Sequence, residues 1–382
     1  MIDTIILTIP RNKIITISSN TWNEFPRWEL QKNEKGYSKH IKNTSDKEVK
    51  QGLSFIKLTG YKRGFGINKH SEAVKIEFSA PKLIKNNNNV NEVCEDEFNL
   101  VAKTLQERLK QMGEIVNLED IENAEVCAFH PSKNIVLSDG YTSSTIINEL
   151  SKININKKFD KTNVVFANDG ASLQIRTEGH SIVFYDKVAD LRKDSKRAID
   201  KDQTLQQQSL FVEIKKKQPT LEILRMEVRL SQKRKMKEIM KKMGFNENPT
   251  FRDIFKKDVC QKIVRWYWEE IIKGENLFLF ELTNNPKRLL RKIVNGDKKI
   301  KQKRAIFLSG LSVLCKDEGG IRELREILEK CTKQRSWYRI INDIKFLNEI
   351  TNKKALHSWV KQIEDSIDNF KPYHTESKRL SD

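Results

Sequence analysis

The stretch HSIVFYDKVADL sets Tyr185 and Lys187 two residues apart at the end of an apolar run. If that run is a strand, its period of two puts Val183, Tyr185 and Lys187 on one face and Ile182, Phe184 and Asp186 on the other. In ILRMEVRL the separation is cleaner: Leu224, Met226, Val228 and Leu230 form an apolar face, and Arg225, Glu227 and Arg229 point the opposite way. One carboxylate is flanked by two guanidinium groups. In AVKIEFSAPK, Val74, Ile76 and Phe78 make a core side and leave Lys75 and Glu77 on the other, while in AEVCAFHPSKN parity groups Val126, Ala128 and His130.

Convergence of these polar faces on one side of a sheet would assemble a tyrosine, two carboxylates, a histidine and several cations. Glu77, His130 and Glu227 suit a hard divalent ion, Mg²⁺ or Mn²⁺, with the imidazole tilting the choice toward Mn²⁺. Such an ion polarises a phosphoryl oxygen, the arginines hold phosphates, and a phenol freed of its proton attacks phosphorus. The product is a 5′-phosphotyrosine and a free 3′-OH. The new ester keeps the energy of the broken phosphodiester, so the step reverses without ATP. Each residue also has a structural use: a packed tyrosine bonded to a loop carbonyl, a solvated Arg-Glu-Arg strand face, a capping histidine, a surface Lys75–Glu77 pair.

The elements that must position these residues change in style near residue 231. Before it, short β-type runs dominate, among them IDTIILTI, GLSFIKLTGYK, AVKIEFSA and HSIVFYDK, with helical patterns at EDEFNLVAKTLQERLKQM and SSTIINELSKI. After it nearly everything has helical period, including SQKRKMKEIMKKMGF with a core stripe of Met236, Ile239, Met240 and Met243, and IRELREILEKC. The expectation is an α+β chain: a nicking domain over residues 1–245 built on a largely antiparallel sheet, then an all-α region over 246–382 with a frayed tail at FKPYHTESKRLSD. A polar hairpin around 32–50 and the segment KRAIDKDQTLQQQ read as mobile, the latter interrupting the helix after the tyrosine strand. VRWYWEEI reads as core.

Charge narrows the partner. The chain has 71 Lys plus Arg against 52 Asp plus Glu, a formal charge of +19, which calls for a polyanion, most economically nucleic acid. No run approaches the roughly 18 apolar residues of a membrane span, so no membrane partner and a cytoplasmic location are expected. Five scattered cysteines without a C-x-x-C pair argue against a zinc ribbon or a disulfide scaffold. From Arg192 to Lys242 there are 16 Lys or Arg and 7 Asp or Glu, a tract beside the Arg-x-Glu-x-Arg strand that can track phosphates. Lys133, Lys233, Arg234 and Lys235 are counted with Arg225 and Arg229 as DNA-binding cations. Residues 319–348 read as helix, short turn, helix, with Ile321, Leu324 and Ile327 facing Trp337, Ile340, Ile341 and Ile344. In a helix-turn-helix, Arg335 and Arg339 would reach base edges; a plain helical hairpin fits the same pattern.

Five blocks in order resemble the gene II replication initiators of filamentous phages and their plasmid relatives: MIDTIILTIP, VKIEFSAPKLIKNNNN, VCAFHPSKNI, HSIVFYDKVADL and ILRMEVRL. The resemblance runs from residue 1 to about 245. It implies that Tyr185 is the nucleophile and Lys187 the family's lysine, with Glu227 the metal-binding glutamate between Arg225 and Arg229. His130 stands where the family usually has an aspartate. It further implies rolling-circle initiation: metal-dependent nicking and rejoining of origin DNA, single- and double-stranded, with a host helicase and DNA polymerase as partners. A non-catalytic DNA-binding regulator, and a relaxase or transposase using the same ester, are the rival expectations.

Overall fold

The computed structural model describes residues 1–17, 29–32, 38–45, 48, 53–64, 70–85, 90–153, 164–167, 172–192, 221–273, 286–317, 320–331, 334–351 and 358–374. KRAIDKDQTLQQQ, the first half of the basic tract and part of the 32–50 hairpin lie outside them. The fold is α+β. Its strands are β1 (Ile2–Pro10), β2 (Ile14–Thr16), β3 (Glu29–Lys32), β4 (Ser38–Asn43), β5 (Ile56–Gly64), β6 (His70–Ser79), β7 (Glu114–Val116), β8 (Glu125–Val136), β9 (Val164–Ala167), β10 (Ser172–Thr177), β11 (His180–Asp186) and β12 (Ile223–Leu230). Its helices are α1 (Ala80–Ile84), α2 (Phe98–Gln111), α3 (Leu118–Glu122), α4 (Ser143–Ser151), α5 (Lys187–Arg192), α6 (Lys233–Lys242), α7 (Phe251–Ile254), α8 (Lys257–Tyr267), α9 (Pro286–Gly296), α10 (Gln302–Lys316), α11 (Gly320–Cys331), α12 (Gln334–Thr351) and α13 (Ser358–Asn369).

Ten strands form one antiparallel sheet in the order β3-β4-β5-β6-β1-β8-β12-β11-β10-β9, and β2 pairs with β7 separately. Alternation makes the sheet two-faced. Leu7, Val74, Ile76, Met226, Val228 and Phe184 belong to one core with Val101 and Leu105 of α2, Met236, Ile239 and Met240 of α6, and Ile263 and Val264 of α8. The other face carries the polar residues of β12, β8 and β11. Gly179, at φ +83°, closes the two-residue turn from Thr177 to His180 and so fixes the register of the tyrosine strand.

Simple parity fails on the two central strands, because the β1–β8 ladder slips twice, between Ile2 and Ile5 and between Ile6 and Leu7. On β8 both Val126 and Phe129 enter the core, which an unbroken period of two forbids. His130 therefore lies on the face opposite Val126, not with it. On β1 the slip leaves Asp3 and Thr4 both outside the core between buried Ile2 and Ile5. Bulges of this kind re-aim side chains.

A boundary at residue 245 falls inside this core. Phe251, Ile254, Phe255, Ile263, Tyr267 and Trp268 are buried in it, and α13 returns to it through Trp359, Ile363 and Ile367. The tail is docked at its start: Phe370 is fully buried and the Tyr373 N–H donates to Glu92 Oε2 at 2.8 Å. A second cluster, with Leu289, Leu308, Leu311, Trp337, Ile344 and Leu347, joins α9 to α12. Within α11, Ile321 is buried but Ile327 is 53% exposed, so it does not face α12 as the hairpin pattern expects. Among the described residues no helix is long and apolar enough to cross a membrane.

Loss of each large core side chain costs about 3–5 kcal/mol against a total stability of about 5–15 kcal/mol. A fragment ending at residue 245 should therefore fail to fold cooperatively. Deleting only residues 286–347, with a short linker, should preserve a cooperative urea transition and near-ultraviolet circular dichroism.

Candidate active site

Glu227 is the hub of the polar face. It is 3% exposed in the middle of β12, opposite Val183 of β11 and Ser132 of β8. A carboxylate buried alone would be prohibitively costly, and four neighbours compensate it. Arg229 donates from Nε to Oε1 at 2.8 Å, and His130 Nδ1 stands 3.3 Å from the same oxygen. The Tyr185 hydroxyl donates to Oε2 at 3.1 Å, and Arg225 Nε lies 3.9 Å from Oε2. Burial works against ionisation, yet Arg229, His130 and Arg225 together hold the Glu227 carboxyl well below the usual carboxylate range.

Tyr185 pairs directly across the ladder with Arg225, so Glu227 is its diagonal neighbour, within reach of an aromatic side chain. Burial pushes its phenol well above the ordinary value, opposed by Arg225 and reinforced by Glu227 and Asp3. Lys187 begins α5, just after the tyrosine strand, with Nζ 5.6 Å from the centre of the Tyr185 ring. Burial, then the nearby Arg225, lowers its ammonium to about 8.

Arg225 is 1% exposed and lies across β8. It donates to Ser132 Oγ at 2.8 Å and Asn134 Oδ1 at 3.2 Å, and reaches Asp3 Oδ2 of β1 at 3.4 Å. Small Ser132 on the intervening strand leaves room for that span. Asp3 also accepts from Ser79 Oγ at 2.7 Å. Arg225 Nε is buried without a hydrogen bond and faces Glu227 Oε2 at 3.9 Å, so it acts on that carboxylate by charge alone.

Sequence reasoning thus found Tyr185, Lys187, Arg225, Glu227, Arg229 and His130, which the structure brings together. It missed Asp3, Ser132 and Asn134. Ser132 and Asn134 share parity with His130 and were legible in HPSKN; Asp3 is the lone charge of β1, hidden by the bulge.

Two expected site residues lie elsewhere. Glu77 sits on β6 opposite Ile6 and Lys57, three strands from Glu227, so it does not join His130 as a ligand. Lys133 pairs with Met226, on the core side of β12. The residue is 4% exposed, and its Nζ is spent on Glu92 at 2.7 Å and the Lys371 carbonyl at 2.7 Å. It is structural, not a DNA contact, for the reason that odd positions of β8 beyond the bulge face inward. Lys233 pairs with Glu125, Lys235 bonds Glu238 at 2.7 Å, and Arg234 and Arg339 are exposed. The Arg335 side chain lies outside the described residues.

Among the described residues no three His, Cys, Asp or Glu side chains converge as a metal centre. Glu227 Oε1 and His130 Nδ1, 3.3 Å apart, nevertheless match the roughly 3 Å edge of one octahedral shell. Oε1 already accepts from Arg229, so these two residues would hold an ion only with its remaining ligands drawn from phosphate and water. No known family model, curated protein or solved structure matches the chain.

Lys133→Met should lower stability by about 3–5 kcal/mol at neutral pH, because it strands the buried Glu92. Glu92 is held at about 2 against an ordinary 4.5: burial opposes ionisation, and the Met1 ammonium and Lys133 outweigh it. A depressed carboxyl stabilises the fold above its unfolded value and loses that contribution as pH falls toward the folded one. Urea midpoints of the two proteins, distinct at pH 7, should converge between pH 4.5 and about 2.

Proposed function

We propose that the protein nicks and rejoins one DNA strand through a covalent link to Tyr185, as a rolling-circle replication initiator does. The observation that carries this reading is the Tyr185 hydroxyl donating to Glu227 at 3.1 Å on a face walled by Arg225, Arg229 and Lys187. A nucleophile in contact with its base, beside cations that match phosphate, is the arrangement phosphoryl transfer needs. The five blocks resembling gene II initiators and the charge of +19 support the same reading.

In this mechanism a DNA phosphate lies against Arg229, whose side chain is 36% exposed, and the buried guanidinium of Arg225 adds its charge from behind. The phenol lies well above, and the carboxyl well below, its ordinary value. The proton therefore stays on Tyr185 in the resting site and moves to Glu227 only as the Tyr185 oxygen bonds to phosphorus. The phosphorus–O3′ bond breaks in the same step. The leaving 3′-oxygen takes a proton from Lys187, whose value of about 8 lets it give one up near neutral pH. The 5′-phosphotyrosyl ester left behind is reversed by a free 3′-OH, which rejoins the strand. A Mg²⁺ or Mn²⁺ ion at Glu227 and His130 would add Lewis-acid polarisation of a phosphate oxygen. Origin recognition in duplex DNA falls to the exposed basic surface of α6 and to α11–α12, where Arg339 is exposed. A host polymerase extends the 3′-OH and a host helicase opens the duplex.

Incubation with Mn²⁺ and a random single-stranded DNA pool labelled at its 3′ ends should give a labelled protein band that survives detergent and heat. Tyr185→Phe should abolish it with DNA binding intact; undiminished labelling would remove Tyr185 from the role.

Glu227→Gln should cut adduct formation by about 10²–10⁴-fold. Because the amide also leaves the buried Arg225 and the partly exposed Arg229 guanidiniums undercompensated, it should cost a further ~1–3 kcal/mol of stability. Adduct yield is therefore compared at a temperature where both proteins are shown folded by circular dichroism. Yield equal to the wild type would exclude Glu227 as the base.

A further inference from the structure

Helix α10 is apolar on two opposite sides. Ala305, Leu308, Leu311 and Cys315 are buried in the second core. Facing away from them, Ile306, Phe307, Val313 and Leu314 are 63%, 46%, 47% and 54% exposed. Scattered exposed apolar residues are ordinary. Four on a single helical face, with no described element over them, mark an interaction surface.

The spacing defines that surface. Ile306, Phe307, Gly310, Val313 and Leu314 form two adjacent pairs set three and four residues to either side of the glycine, one continuous stripe along the helix, with Lys303 near its start and Asp317 just past its last residue, and all seven are exposed. Gly310 is its centre. A glycine inside a helix weakens it, and nothing described lies within 4 Å of where a Cβ at Gly310 would stand. Packing among the described residues therefore does not require it. What a bare outward glycine offers is close approach of a second backbone.

Outward from Gly310 the stripe is symmetric in character. Three residues to either side stand Phe307 and Val313, four to either side Ile306 and Leu314, and seven to either side Lys303 and Asp317. We propose that this stripe docks on the same stripe of a second copy of the chain, as an antiparallel helix pair whose two-fold axis passes Gly310. A two-fold interface must be self-complementary, residue i meeting j and j meeting i. Here Ile306 meets Leu314 of the second copy, Phe307 meets its Val313, and Lys303 at one end meets the opposite charge of its Asp317. Arg304 and Lys316 are also related about Gly310, but Arg304 is turned away, paired with Asp343 at 3.0 Å and lying over the Phe346 ring at 4.9 Å. Mixed charge at the two ends favours a second copy over a uniformly acidic partner helix, which Asp317 would repel.

The pairing does not depend on the chemistry at Tyr185, and its test reads mass, not activity. One helix pair falls short of the roughly 1,200 Å² of a standard interface, so sedimentation of the full chain should show a concentration-dependent monomer–dimer equilibrium. Lys303→Asp and Asp317→Lys should each weaken the dimer by about tenfold, since each turns two ion pairs into two repulsions. The double exchange should restore it, because the charges are opposite again. Gly310→Cys should form a disulfide-linked dimer under mild oxidation, while Lys299→Cys should not. The proposal is overturned by a monomer at every concentration that Gly310→Cys fails to cross-link, or by a dimer unmoved by Ile306→Lys and both charge reversals. Either result assigns the stripe to another occupant.

Discussion

Charge buried on β12 organises the molecule around it. Glu227 and Arg225, 3% and 1% exposed in a central strand, can be tolerated only if partners reach them from neighbouring strands. Those partners come from β1, β8 and β11, so the network pins the register of four adjacent strands at once. A one-residue slip of β12 would turn its guanidiniums into the helical core and Met226 and Val228 out of it. The polar face is thus as strongly specified as the apolar one.

The central strand β8 serves both sides of the sheet. On one side His130, Ser132 and Asn134 hold Glu227 and Arg225. On the other, Lys133 engages Glu92, which also accepts from the backbone N–H groups of Asn134 and Tyr373. That second knot ties residues from the chain's last described segment to the strand that lines the site. The helices packed on the apolar face reinforce it: α8 and α13, although far along the sequence, lie against the same core.

What the site can do follows from opposed pressures on two adjacent groups. Burial raises the Tyr185 phenol, and the cations around Glu227 lower its carboxyl, although the two share a hydrogen bond. Such a pair is chemically quiet at rest. An arriving phosphate would draw on the charges of Arg229 and Arg225, weakening their hold on Glu227 and making it a better base. In the proposed reaction the substrate itself would thereby switch on the proton acceptor.

The sequence by itself determined the α+β class, the helical second half, the Met236–Met240 core stripe and the strand faces carrying Tyr185 and Glu227. These depend on periodicity, which is local and survives in an unbroken strand or helix. It did not determine where the bulges fall, because a slip in register depends on how two strands far apart in sequence fit together. For that reason simple parity groups His130 with Val126, and Asp3 reads as one acid in an apolar run. Glu77 and Lys133 show the other limit. Parity says which way a side chain points, but only strand order says that Glu77 is three strands from Glu227. Only packing says that the Lys133 ammonium ends on a buried carboxylate and not on a phosphate. Domain extent was likewise a tertiary decision, since α8 and α13 join the core of a sheet whose strands all precede them in the chain, β8 by more than a hundred residues.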